Sequence, residues 1–214
     1  MPLDESQPPG GRAPRGGRRR IFLDLGALDG SSTRFFQAHH PQASGFSYYG
    51  FECLPANLEA LRRQPLPFTL IPQAAWTHDG AVRFHPGNPD GSSVYGNKIT
   101  GRVRADVFIE VPCLDFAEFL RPLIDAGDEI QIKMNIEGAE YPLIEHLQAA
   151  GLIPGVARWY MAWHAHKIGM AKKEHERIAA MLPGWFPWPP PHKPGSIEAF
   201  RASLEPLPGP SRAP

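Results

Sequence analysis

Four places in the chain bring together residue types that could do chemistry. The first is the run Asp24-Leu25-Gly26-Ala27-Leu28-Asp29-Gly30, which closes an apolar stretch and leads into Ser31. Gly26 lets the backbone turn sharply and lie close to a ligand, and Gly30 permits a tight start to a following helix. The first N–H groups of that helix would face the ligand from its positive end. A dinucleotide site of the GxGxxG type would need glycine where Leu28 and Ser31 stand. Without the second glycine, the backbone cannot closely approach a pyrophosphate. Asp24 would repel a pyrophosphate but attract an ammonium group, directly or through water. The turn therefore favours a cofactor without phosphates. Read alone, it is also an ordinary strand–turn–helix.

The second place is Glu52, in YYGFEC. A carboxylate ending a strand can accept both hydroxyls of a ribose through charge-assisted hydrogen bonds. The alternative is a surface acid at a strand end. Glycine turn and acid, one βα unit apart, suit an adenosine-type cofactor, S-adenosylmethionine being one without phosphates, and do not separate methyl transfer from hydride transfer. The third place is KMNIEGAEY, where Asn135, Glu137 and Glu140 gather at the end of a strand. Glu137 could orient an acceptor hydroxyl or take its proton. Glu140 reads as a first-turn acid favoured by the helix dipole, and Lys133 as a residue of the sheet edge. The fourth is RWYMAWHAHKIG. His164 is a candidate general base with a pKa near working pH, or a strand-end histidine capping backbone. His164 and His166 lack the acidic partners that a metal site would need, so no metal is expected. A loop over residues 87–101, with Asn88, Ser92, Ser93, Tyr95 and Asn97, is a second candidate for acceptor contact. Trp185 and Trp188 form a lid, an acceptor wall or loop packing.

These residues need elements to hold them. Apolar runs predict strands over residues 21–25, 47–53, 68–76, 108–111, 129–136 and 158–164, with an antiparallel arm over 81–85. Helices are predicted over 31–39, 54–63, 115–124, 139–150 and 172–181, the first capped by Ser31 or Ser32. Strands alternating with helices imply parallel βαβ units in an open twisted sheet, an α/β fold. Ligands of such sheets sit at the carboxyl ends of the strands, which is where the four places fall. After Met181 the proline content hides the final strands, and a shortened sheet is one outcome.

The chain has 214 residues, 22 basic and 22 acidic side chains and 42% hydrophobic residues. That length suits one domain with a proper core. Neutral overall charge argues against nucleic acid, and no apolar run reaches a membrane span. Cys53 and Cys113 sit in apolar runs without CxxC partners, which fits a reducing cytoplasm and disfavours a disulfide framework. Residues 1–20 are Pro/Gly/Arg-rich and read as a disordered leader, 21–204 as the catalytic domain, and 205–214 as a flexible tail. A homodimer stays open.

The motifs also resemble those of the FkbM family of S-adenosylmethionine-dependent methyltransferases. DLGALDGSST resembles its D-x-G-A-x-x-G turn. FECLPANLEAL resembles its F-E-P-x-P stretch, with Cys53 in place of the proline. VPCLDFAEFL resembles its V-x-T-L-D helix start, and IQIKMNIEGAEYPLIEHL its K-x-D-x-E-G-A-E signature, with Asn135 in place of the aspartate. The resemblance runs over residues 21–164. It implies a Rossmann-like class I methyltransferase that methylates a hydroxyl on a small molecule or glycan. It also implies that Asp24, Gly26, Ala27, Gly30 and Ser31 hold the methionine end, Glu52 the ribose, and Gln73 and Ala74 the adenine. Asn135 and Glu137 then face the transferring methyl and the acceptor, and His164 is the candidate base that the residues themselves suggest. Alternatives are a degenerate, non-catalytic cofactor-binding module and an NAD-type oxidoreductase of similar fold. A nucleic-acid methyltransferase is opposed by the neutral charge and by the lack of an N/D-P-P-Y/F signature.

Overall fold

The computed structural model describes residues 18–87, 91–188 and 193–204. The expected leader up to residue 17, the tail from 205, Asn88 and part of the proline run lie outside the described residues. In chain order the elements are β1 (Arg20–Leu25), α1 (Ser31–His39), β2 (Phe46–Phe51), α2 (Pro55–Arg62), β3 (Thr69–Ile71), β4 (Ala74–Trp76) and β5 (Gly80–Phe84). They continue with β6 (Ile109–Asp115), α3 (Phe116–Asp125), β7 (Glu129–Met134), α4 (Glu140–Ala149), β8 (Val156–Met161), α5 (Lys172–Ala179), β9 (Phe186–Pro187) and α6 (Ser196–Ser203).

The main sheet has the order β3-β2-β1-β7-β8-β9, and every neighbouring pair is parallel. The chain winds outward from β1 to β3, then crosses back to the other side of β1. The switch in strand order therefore falls between β1 and β7, the position at which such sheets hold ligands. The alternation of side chains along β1 shows both faces at work. Ile21, Leu23 and Leu25 pack with Phe116, Leu120, Ile144 and Ile178 from α3, α4 and α5. Phe22 points the other way, into an aromatic cluster with Phe35, Phe36, Tyr160, Trp188 and Phe200 that involves α1 and α6. This is the Rossmann-like α/β arrangement that the resemblance implies.

Several local expectations are corrected. Residues 68–76 are not one strand. Pro72 cannot donate to a ladder, and the chain breaks there, leaving β3 in the main sheet. β4 instead joins a small second sheet of order β4-β6-β5. The arm at β5 is antiparallel as expected, but its partner is β6. Neither Ser31 nor Ser32 caps α1. Gly30 is the N-cap, at φ 79°, and the Asp29 carboxylate accepts the Ser31 N–H at 2.9 Å. Lys133 lies on a central strand rather than at a sheet edge. The C-terminal end of the sheet is indeed short: β9 has two residues and runs parallel to β8. Asp115 caps α3 by accepting N–H groups from Ala117 and Glu118, matching the helix start expected there.

Candidate active site

The turn after β1 is built by contact with the end of β7. Gly26 has φ +80°, and a Cβ placed on it would lie 2.2 Å from the carbonyl oxygen of Asn135. Only glycine fits that approach. The Gly26 and Ala27 N–H groups both donate to the Phe51 carbonyl, so the turn is also pinned to β2. Leu28, at φ +50°, then aims its N–H at Oε2 of Glu52, 3.1 Å away.

Asp24 is fully buried beneath this turn. Its carboxylate lies 2.8 Å from Lys133 Nζ, its register partner across the β1–β7 ladder, and accepts from the Thr33 hydroxyl at 2.7 Å. Lys133 also donates to the Gly26 carbonyl at 2.9 Å. A buried charge needs such a partner. With Lys133 and Thr33 on its carboxylate, Asp24 lies beneath the turn and outside the cleft lining.

Over the carboxyl ends of β1, β2 and β7 opens a cleft of about 830 Å³, the open solvent at its mouth included. Its lining takes in Gly26, Glu52, Gln73, Ala74, Asn135 and Glu137. Asp24, Ala27, Gly30, Ser31 and His164 are not part of the lining. Apolar wall comes from Leu28, Leu54, Trp76, Phe84 and Val94, and further polar groups from Asn57 and Ser92. Glu52 is held firmly. Oε1 accepts the Cys53 and Leu54 N–H groups, both at 2.9 Å, while Oε2 accepts that of Leu28. Asn57 is also hydrogen-bonded to this carboxylate. Burial raises the Glu52 pKa and outweighs these donors. Asn135 donates its backbone N–H to the Leu25 carbonyl, while its side-chain Oδ1 is buried and accepts no hydrogen bond. A buried acceptor of that kind is open to a donor from water or from a ligand.

Beyond Asn135 the chain reverses. Glu137 sits at φ +55°, a left-handed conformation that costs a non-glycine residue about 1–2 kcal/mol. Its carboxylate meets three cationic side chains: Lys98 at 2.7 Å, Lys167 at 3.1 and 3.2 Å, and His164 Nε2 at 3.3 Å. Burial opposes ionisation, but His164 and Lys98 prevail and hold Glu137 down to about 2. His164 spends its other ring nitrogen, Nδ1, on Glu140 at 2.6 Å. Burial disfavours the charged ring, yet the two carboxylates push its pKa up to about 9. A carboxylate on each ring nitrogen thus favours the imidazolium form of His164. Glu140 is fully buried, and it accepts the Ile136 N–H at 3.1 Å and the Gly138 N–H at 2.7 Å. It thus ties the reversed loop to α4 as well as to His164, beyond a first-turn acid favoured by the dipole.

Sequence reasoning missed Lys98 and Lys167. Lys98 lies in the 91–101 loop, with its ammonium buried against Glu137 and the Gly91 carbonyl. Ser93 of the same loop donates to the Glu137 carbonyl at 2.6 Å, and the Ile99 N–H donates to the Lys167 carbonyl. The loop closes one side of the site. Trp185 packs against Trp163 and not into the cleft lining, and Trp188 joins the aromatic core. Among the described residues, no three His, Cys, Asp or Glu side chains gather as a metal-binding set. Nor, among them, is any helix long and apolar enough to cross a membrane.

Comparison with curated proteins and with solved structures gave no match. A family model described as the methyltransferase FkbM domain matches residues 24–184, well over half of the chain and all of the cleft lining. With that extent of match, a switch-point cleft and the signature loop at Glu137, the chain belongs to the FkbM methyltransferase family.

Proposed function

We propose that the chain binds S-adenosylmethionine in this cleft and transfers its methyl group to a hydroxyl on a small molecule or sugar. The observation that carries the reading is one of placement. The Gly26 turn, the Glu52 carboxylate and the unpartnered Asn135 Oδ1 all border one cleft at the switch point. These groups suit the cofactor. Asn135 Oδ1 would accept a hydrogen from its ammonium, while Asp24 stays paired with Lys133 beneath the turn. Glu52 would accept from the ribose hydroxyls, which take the place of Asn57 on its carboxylate. Gln73, Ala74 and Trp76 would border the adenine. The cofactor supplies a methyl group activated on a sulfonium. The protein's part is to hold the acceptor oxygen in line with that methyl and keep water away, where positioning matters more than base strength. The buried, free thiols of Cys53 and Cys113 favour a reducing cytoplasm.

Calorimetric titration with S-adenosylmethionine and S-adenosylhomocysteine tests the reading. Binding of both is expected, and Glu52→Ala should weaken it about tenfold or more. A flat titration of the folded wild type would sink the proposal. A second reading, a cofactor-binding relative without activity, draws on one observation: Asn135 stands where the family signature carries an acid. Cofactor binding without methylation of any acceptor in a broad panel would favour it.

A further inference from the structure

A neutral hydroxyl that takes a methyl group must give up its proton to something nearby. Glu137, which lines the cleft, and His164, which lies against it, are the titratable pair of the signature loop, and neither has room for that proton. Glu137 Oε1 faces His164 Nε2 at 3.3 Å and Lys167 at 3.2 Å, while Oε2 faces Lys98 at 2.7 Å and Lys167 at 3.1 Å. Four contacts occupy the four lone-pair sites of a carboxylate. His164 has each ring nitrogen against a carboxylate oxygen, so both carry hydrogen and neither offers a lone pair. Asn135 adds an amide oxygen, which accepts hydrogen bonds but not protons at ordinary pH.

The charges lead to the same place. Lys98, Lys167 and His164 are three cations against the two carboxylates of Glu137 and Glu140, leaving one positive charge in excess. The side chains of Lys98 and His164 are 0% and 6% exposed, and that of Lys167 is 25% exposed. Lys167 is therefore the most exposed of the three cations, and its ammonium lies against Glu137, which lines the cleft.

We propose that the acceptor brings the missing negative charge itself: its reacting oxygen belongs to an acidic hydroxyl, a phenol or an enol, that arrives as the oxyanion and is held by Lys167. The inference rests on the methyltransferase reading above. In the reaction a lone pair of the oxyanion forms the new O–CH₃ bond while the CH₃–S bond breaks. The electron pair of that bond stays on sulfur, the sulfonium becomes a neutral thioether, and no proton changes hands. Lys167 orients the oxygen, and Lys98 and His164 keep Glu137 from taking Lys167 wholly for itself.

The test uses the full chain. Titration with S-adenosylhomocysteine comes first, and absence of binding there refutes the cofactor reading rather than this one. A panel that pairs phenols and enols with alkyl alcohols and neutral sugars is then assayed for methyl transfer, with and without added Mg²⁺. Turnover is expected among the acidic hydroxyls. Lys167→Met should raise their KM about tenfold or more, and Lys167→Arg should recover most of that loss. The affinity for S-adenosylhomocysteine should stay within about twofold in both variants, which also shows that they fold. A readout independent of turnover is the absorbance of 4-nitrophenol bound to the S-adenosylhomocysteine complex. The bound dye should remain ionised at a pH where the free dye is protonated, and Lys167→Met should abolish that shift. Methylation of neutral alcohols at comparable rates would overturn the proposal. So would a panel in which no acidic hydroxyl reacts, a KM unmoved by Lys167→Met, or a bound dye that protonates like the free one.

Discussion

Gly26 and His164 make opposite demands on the chain, one of space and one of charge. Any side chain at Gly26 would meet the Asn135 carbonyl at 2.2 Å, in a backbone conformation that L-residues resist. Gly26→Ala should therefore cost more than about 3 kcal/mol. Gly127→Ala has a similar φ of +75° but nothing within 4 Å, and should cost only about 1–2 kcal/mol. Denaturant unfolding of the two variants checks the contrast, and equal losses would show that the clash is relieved. For His164 the sign follows from the direction of its shift. A pKa raised from 6.5 to about 9 means that the protonated ring stabilises the fold. The contribution is complete below about pH 6.5 and disappears as pH rises through 9. Glu137, lowered from 4.5 to about 2, behaves in reverse: its contribution is complete above pH 4.5 and disappears as pH falls through 2. Thermal midpoints should decline between about pH 6.5 and 9 in the wild type, and His164→Gln should flatten that decline. The glycines were legible in the sequence because a turn without a Cβ leaves a local signature. The charge state of His164 was not, since it depends on Glu137 and Glu140, which reach it only through the fold.

At the scale of elements, β1 and β7 are joined by more than their ladder. Asp24 and Lys133 face each other inside the sheet, with Thr33 of α1 as a third member. Removing one partner leaves a buried charge alone, so Asp24→Ala or Lys133→Ala should each cost about 3–5 kcal/mol. The double variant Asp24→Leu/Lys133→Met should recover much of this, because a matched apolar pair leaves no charge to satisfy. Chemical denaturation of the set measures it, and additive losses would refute the coupling. Most helices and strands could be read from hydrophobic period and turn residues, α1 to the residue. The division of residues 68–76 between two sheets could not, although Pro72 was in plain view. A missing N–H says where a ladder stops, and not which sheet the chain joins next. The loop that brings in Lys98 is harder still, since a lone lysine 39 positions before Glu137 has no periodicity to betray it.

For the molecule as a whole, the two faces of the sheet differ in kind. One is covered mainly by aliphatic residues of α3, α4 and α5, the other by interlocked rings from α1, β8 and the C-terminal helix. Phe200 of α6 is fully buried and lies 5.4–5.8 Å, centroid to centroid, from Phe35, Phe36, Tyr160 and Trp188. Phe200→Ala should cost about 3–5 kcal/mol and lower the thermal midpoint without changing which ligands bind. The proline-rich sequence concealed this element, because its anchoring ring follows a stretch with no helical or strand period. The distribution of the five tryptophans has an optical consequence. Trp159 and Trp188 are sealed in the core, and Trp163 and Trp185 stand edge to face, while Trp76 alone among them lines the cleft. A flat ring settling beside Trp76 should quench part of the protein's emission, and Trp76→Phe should make the same titration silent. The binding site thus comes with its own fluorophore, and its occupancy can be followed in a cuvette without a label.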